Sequence, residues 1–112
     1  MQVPRVWYLV RDFDRGRDFY VRVLGFHETY VDWDERWSKL EHGAMQIAVA
    51  EGEPTDCGVA TVDVEDVKAD AEKLRRQGVE VGVVVELAGQ MRIVDVFDPD
   101  GNRVQLAQPI ED

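Results

Sequence analysis

The sequence has 112 residues, which is the size of one domain with a core of its own. Its 23 acidic and 13 basic residues give a net charge of −10, which disfavours binding to nucleic acid and to anionic membrane surfaces. No apolar run is long enough for a signal sequence or a membrane span, and the single cysteine, Cys57, cannot form an internal disulfide. We therefore expect one cytoplasmic domain in which Cys57 packs rather than reacts.

The first half of the chain predicts a strand, a helix and three further strands. An apolar run over residues 3–10 predicts the first strand, and Asp12 or Asp14 is a candidate cap for the helix that follows. Gly25 supplies the C-terminal stop of that helix. Extended segments then follow at residues 26–31, 36–41 and 44–50.

The second half repeats this order after a polar break at residues 51–56. A strand is predicted over residues 57–64, followed by a helix that Asp66 caps and Gly78 ends. The capping aspartates are 66 − 12 = 54 residues apart, and the terminal glycines are 78 − 25 = 53 apart. Extended segments again follow, at residues 79–87, 91–97 and 102–108. The chain therefore contains an internal repeat.

The last two segments are joined by a turn over residues 98–101. Proline at its second position and Gly101 at its end are typical of a hairpin that closes with a bulge. Strand alternation then places Val104 and Leu106 on the core face and Gln105 on the other face, together with Arg103 and Ala107.

Each half therefore reads βαβββ, which predicts an α+β fold. Together the halves resemble the vicinal oxygen chelate superfamily, which includes glyoxalase I, extradiol dioxygenases and bleomycin-resistance proteins. The residues that carry the resemblance are 11–26, 64–81 and 96–106. It implies a single domain over residues 1–112, with repeats at about 1–50 and about 57–108, that forms a curved, partly open sheet around a cleft. One fold hosts many functions, so the resemblance alone does not give an activity.

Metal-dependent members of this superfamily take ligands from the first and last strand of each half. The resemblance places these positions at Arg5, Gln46, Val59 and Gln105. Arginine repels a cation, valine has no donor atom, and two neutral amides bring no anionic charge. We therefore expect no metal and no other cofactor. His27 and His42 lie away from these positions and are interpreted as a strand-surface residue and a turn residue.

Strand alternation and pairing across a tight turn at His42 and Gly43 predict the cleft lining. In this register Lys39 faces Gln46, Trp37 faces Ala48, and Arg92 shares the face of Gln105. The alternative for the tryptophans is that they only fill space between the sheets. The predicted ligand-binding residues are Arg5, Trp7, Trp33, Trp37, Lys39, Gln46, Thr61, Asp63, Arg92 and Gln105.

The polar segment 31–37 is predicted to be either a solvated loop or a lid. As a lid, it would stack Trp33 on a flat ligand while Asp32, Asp34 and Glu35 attract a cation. The inward arginines and Lys39 favour a carboxylate, an enolate or a phenolate instead. The sequence leaves the charge of the ligand open.

We expect a metal-free protein that binds a planar or aromatic small molecule, such as an antibiotic. The alternatives are an enzyme or a non-catalytic regulatory subunit. The enzyme would be a lyase or isomerase with Asp63 as base and Arg5 or Arg92 at an oxyanion, or a dioxygenase-like enzyme with a non-standard metal site. The resemblance also implies a homodimer, and the short link at residues 51–56 suits pairing of the halves within a chain or between chains.

Overall fold

The structure, a computed structural model, describes residues 6–54, 59–87 and 89–110. Arg5 and Cys57 lie outside these residues. The elements in chain order are β1 (Val6–Val10), α1 (Phe13–Asp18), a π-helical segment (Phe19–Val23), β2 (His27–Asp32), β3 (Trp37–His42), β4 (Met45–Glu51), β5 (Ala60–Asp63), α2 (Val67–Arg76), β6 (Glu80–Val81), β7 (Val85–Leu87), β8 (Met91–Phe97) and β9 (Arg103–Pro109). Across the described ranges, no helix has the length and apolar character needed to cross a membrane.

The strands form two sheets, one from each half of the chain. The first has the order β1-β4-β3-β2 and the second the order β5-β9-β8-β6, with β7 also paired to β8. In each sheet the first strand of the half runs parallel to the last, and the other pairs are antiparallel. The predicted α+β class with two repeated units is confirmed.

The second half differs from the prediction in one place. The extended segment expected over residues 79–87 is split into β6 and β7. Between them, the amide of Gly82 donates to the carbonyl of Asp95 at 2.8 Å. The single strand expected here is therefore two short strands on the same partner, β8.

Both helices begin and end where the repeat predicts. The side chain of Asp12 accepts the amide of Arg15 at 3.2 Å, and that of Asp66 accepts the amide of Ala69 at 3.0 Å. Gly25 and Gly78, after the helices, have φ of 80° and 83°, the left-handed conformation that favours glycine. The capping and stop residues read from the sequence are confirmed.

The two halves share one hydrophobic core. It contains Tyr8, Tyr20 and Ile47 from the first half, and Val62, Leu74 and Val94 from the second. At the junction the Tyr8 hydroxyl accepts the amide of Ala60 at 2.9 Å and donates to the carbonyl of Arg103. The helices α1 and α2 cover the core-facing side of their sheets, where Phe13 of α1 and Leu74 of α2 are buried. We call the opposite side of each sheet its open face, since no described helix packs there.

The turn at residues 98–101 forms as predicted. Gly101 has a φ of 87°, and the Asp98 side chain accepts the amides of Asp100 and Asn102 at 2.9 Å each. Asp98 is 4% exposed, and it also accepts the Tyr20 hydroxyl at 2.8 Å. The turn thus sets the alternation of β9 and also joins it to the helical layer of the first half.

Candidate functional site

The strand register places two rows of side chains on the open face of the first sheet. One row, taken across β2, β3, β4 and β1, contains Tyr30, Lys39, Ala48 and Trp7. The next row contains Asp32, Trp37, Ala50 and Leu9. The large side chains thus stand on the strands around β4, whereas β4 itself contributes alanines.

Three aromatic rings on this face form what we call the aromatic platform: Trp7, Trp37 and Tyr30. The ring centroids of Trp7 and Trp37 are 5.2 Å apart, as are those of Trp37 and Tyr30. Ala48 between these strands is fully buried, which is consistent with rings lying over the small side chains of β4. Tyr30 is 38% exposed and the two tryptophans are half-buried, so each ring of the platform is partly accessible to solvent.

Tyr30, which was not among the predicted site residues, reaches the platform through a β-bulge. Glu28 pairs with Leu40, but Tyr30 pairs with Lys39, so Thr29 is an extra residue in β2. Without the bulge Glu28 and Tyr30 would point to the same face. Because of it, Glu28 turns toward α1 and Tyr30 toward the open face.

Polar side chains border the platform on the same face. Gln46 pairs with Glu41 in register, and its amide Nε2 donates to Glu41 Oε1 at 2.8 Å. Asp32 Oδ1 accepts the backbone amide of Glu35 at 3.0 Å. Lys39 is half-buried beside Tyr30. An aromatic surface with a few placed polar groups is typical of a site for a small organic molecule.

The open face of the second sheet is more polar. Thr61 lies beside Gln105 in register, and its hydroxyl donates to Gln105 Oε1 at 3.2 Å. Asp95, on the other side of Gln105, forms an ion pair with Arg103 at 3.5 Å. Asp63 is exposed on the same face. The predicted placement of Thr61, Asp63 and Gln105 on one face is confirmed.

The predicted register between β3 and β4 is wrong by two residues. The turn lies at Gly43 and Ala44 rather than at His42 and Gly43, so Lys39 pairs with Ala48 and Trp37 with Ala50. A shift of two residues leaves every side chain on its predicted face. His42 ends β3 as a half-buried residue and packs edge-on against Phe26, with ring centroids 5.3 Å apart, instead of pointing to water.

Trp33 lies away from the platform. Its ring packs edge-on against Phe13 of α1, with centroids 5.8 Å apart, and the guanidinium carbon of Arg17 is 4.5 Å from its centre. Both partners belong to the helix on the core-facing side of the sheet. The position of Trp33 therefore does not support the predicted lid over the cleft.

The expectation that Arg92 shares the face of Gln105 is wrong. Arg92 pairs with Gln108, whereas Gln105 pairs with Asp95, so the two side chains point to opposite sides of the second sheet. The Arg92 Nε donates to Glu86 Oε1 at 3.1 Å. The error arose because the register of the β8–β9 hairpin depends on the bulged turn, and one residue of slip inverts a whole strand.

The two glutamines are not equivalent in the repeat. Trp7 lies 12 − 7 = 5 residues before its cap and Thr61 lies 66 − 61 = 5 before its own, and these residues pair with Ala48 and Gln105. Ala48 is therefore the counterpart of Gln105, and Gln46 lies two residues earlier.

These donor groups do not fit a metal ion. Ala48 and Val59 have no donor atom, and the neutral amides of Gln46 and Gln105 bond to Glu41 and Thr61. The arginine in the sequence at position 5 carries a positive charge. Across residues 6–54, 59–87 and 89–110, no group of three His, Cys, Asp or Glu side chains is arranged to hold a metal ion.

A family model of the Glyoxalase/Bleomycin resistance protein/Dioxygenase superfamily matches residues 2–106. The chain belongs to this superfamily, and the resemblance seen in its sequence is confirmed. No match was found among the curated proteins.

Solved structures share the fold over nearly the whole chain. An integron cassette protein from the mobile metagenome of Halifax Harbour Sewage Outfall has a TM-score of 0.81 and 21% identity, covering 96% of this chain and 97% of that one. The antibiotic binding protein TnmS3 from a Streptomyces species has a TM-score of 0.71 and 24% identity, covering 97% of each chain. The fosfomycin resistance protein FosX from Listeria monocytogenes has a TM-score of 0.75 and 17% identity, covering 96% of this chain and 93% of that one. At these identities the likeness shows the fold.

Proposed function

We propose that this protein binds a planar aromatic small molecule, such as an antibiotic, without a metal ion. The observation that carries the proposal is the aromatic platform, three neighbouring rings on a sheet face that no described helix covers. A flat ligand gains dispersion contacts and apolar burial by stacking on such a surface. The antibiotic binding and fosfomycin resistance proteins of similar fold support this class of function.

The enzyme alternative has less support from the site. A lyase or isomerase with Asp63 as base needs a cation close to the developing oxyanion. Arg92 points to the other side of the sheet from Asp63. Arg103, which does lie on that face, is paired with Asp95. A dioxygenase needs a metal ion, which the donor groups do not fit.

The proposal is tested by titrating the purified protein with planar aromatic compounds, followed by calorimetry and tryptophan fluorescence. For a compound that binds, Trp37→Ala should weaken affinity by about 1–3 kcal/mol, because it removes the central ring of the platform. Trp33→Ala is the matched control: it removes the same side chain from the core-facing side and should leave affinity within about twofold.

Two outcomes would overturn the proposal. One is that Trp37→Ala binds as tightly as the wild type. The other is that Trp33→Ala weakens binding while Trp37→Ala does not, which would place the ligand beside α1. If both variants lose binding, their unfolding midpoints show whether they are still folded. The comparison is made between folded proteins.

A further inference from the structure

The platform has a cation beside it, Lys39, that forms no ion pair with any residue the structure describes. Lys39 lies in the row of Tyr30 and Trp7, separated from Trp7 only by Ala48. Among residues 6–54, it is the one lysine or arginine that the strand register places on this open face. Its side chain is half-buried, and its ammonium group has no hydrogen bond with any described residue.

The acidic groups on the same face are already engaged. Glu41 accepts the amide of Gln46 at 2.8 Å, and Asp32 accepts the backbone amide of Glu35 at 3.0 Å. The hydrogen bond from the Glu35 amide also stabilises the turn between β2 and β3, so the Asp32 carboxylate is engaged within that turn. Within the described part of the chain, neither carboxylate forms an ion pair with Lys39. A partly desolvated ammonium next to aromatic rings is thus left for an external anion.

The acidic segment 31–37 does not change the charge balance around Lys39. The ring of Trp33 packs against Phe13 and Arg17 on the core-facing side of the sheet, so its turn does not close over the platform. The net charge of −10 acts over long distances, but charges beyond about 8 Å are largely screened at physiological ionic strength. The contact with Lys39 therefore outweighs the overall charge of the protein in determining which ligand charge the site prefers.

We infer that the ligand is an aromatic oxyanion, a planar ring system that carries a carboxylate or phenolate. This inference rests on the proposed function. The ring stacks on the platform, and the oxyanion accepts from the Lys39 ammonium. Lys39 follows Trp37 by two residues on β3, about 6.8 Å along the strand, so the long Lys39 side chain can meet a substituent on a ring that lies over Trp37. Lys39 is then the residue that determines charge specificity.

The test compares two probes with the same ring system, anthraquinone-2-carboxylate and anthraquinone-2-carboxamide. The wild type should bind the carboxylate roughly five- to tenfold more tightly, a preference between those of exposed and buried charged contacts. Lys39→Met removes the charge but keeps an unbranched side chain only one atom shorter, so it should abolish this preference, while affinity for the carboxamide stays within about twofold. Lys39→Arg keeps the charge and should retain the preference. An anthraquinone with a phenolic hydroxyl, titrated below and above its pKa, distinguishes a phenolate from a carboxylate.

The outcomes separate this inference from the proposed function. Equal affinity of the wild type for both probes, or a carboxylate preference that persists in Lys39→Met, would overturn the role of Lys39 alone, provided that Trp37→Ala still weakens both probes. If neither probe binds, or if Trp37→Ala changes neither affinity, the platform itself is not the site and both statements are wrong.

Discussion

At the residue scale, Arg17 and Glu28 connect α1 to the first sheet. Arg17 donates through Nε and Nη2 to the two carboxylate oxygens of Glu28, at 2.7 and 2.6 Å. These hydrogen bonds hold the pKa of Glu28 below its ordinary value, against partial burial and with help from the Ser38 hydroxyl, which donates at 2.6 Å. The same pairing raises the pKa of Arg17. The bulge in β2 makes this contact possible by turning Glu28 toward the helix.

This ion pair predicts a pH-dependent stability. A carboxyl group whose pKa is lower in the folded state contributes stability at pH above its unfolded value, and that contribution is lost as the pH falls through the folded value. Glu28→Gln should therefore lower the free energy of unfolding at pH 7 by about 1–3 kcal/mol. The difference from the wild type should shrink as the pH falls below about 4, the ordinary range of a glutamate pKa. Chemical denaturation at a series of pH values measures it.

Glu72→Gln is the control for this prediction. Glu72 also forms an ion pair, with Arg76 at 3.0 Å, but its side chain is 69% exposed. Removing it should change stability by about 0.5 kcal/mol or less at any pH. A Glu28→Gln deficit that stays constant down to pH 3 would contradict the linkage between Glu28 ionisation and folding.

At the element scale, the bulge in β2 accommodates one extra residue, so that Glu28 and Tyr30 can lie on opposite faces of the sheet and Tyr30 can join the platform. Thr29 is the extra residue, because the pairs on either side, Glu28 with Leu40 and Tyr30 with Lys39, are one residue out of step. Its removal would leave a regular antiparallel ladder with every remaining side chain on its present face.

Deletion of Thr29 should therefore be tolerated. We expect a folded protein whose unfolding midpoint is close to that of the wild type and whose aromatic ligands still bind in a Trp37-dependent way. Deletion of Ser38 is the matched control, because Ser38 pairs in register with Val31 and Val49 and its loss inverts the faces of half a strand. That variant should be unfolded by circular dichroism. A Thr29 deletion that behaves like the Ser38 deletion would show that the bulge itself is required.

At the scale of the whole molecule, one core holds both halves and leaves two open faces. The core-facing sides of both sheets meet through Tyr8 and Tyr20, so the open faces lie away from it. Apolar side chains remain exposed there: Tyr30 at 38%, Val85 at 44% and Leu87 at 43%. Exposed apolar side chains on the faces of both sheets are typical of a protein interface or a ligand site.

We propose that the protein is a homodimer in which the open face of the first half of one chain meets that of the second half of the other. Each of two equivalent clefts would then contain Gln46 from one chain and Gln105 from the other, with the aromatic platform as one wall. Light scattering should give twice the 12.8 kDa of one chain at micromolar concentration. A mass of 12.8 kDa under these conditions would refute the dimer and leave the platform as an open surface of a monomer.

The elements that depend on local chemistry could be predicted from the sequence. Asp12 and Asp66 cap helices because an aspartate before an amphipathic segment satisfies free backbone amides, and Gly25, Gly78 and Gly101 adopt positive φ because only glycine does so without strain. The caps recur after 54 residues and the terminal glycines after 53, which showed the repeat, and the family model over residues 2–106 showed the family.

Which side chains meet at the candidate site depended on long-range strand pairing and packing. The bulge at Thr29 brought Tyr30 to the platform, the β8–β9 register turned Arg92 away from Gln105, and packing against α1 removed Trp33 from the face of Trp37. The physical reason is that side chains alternate along a strand, so one residue of slip exchanges the two faces, and the register is set by partners distant in sequence.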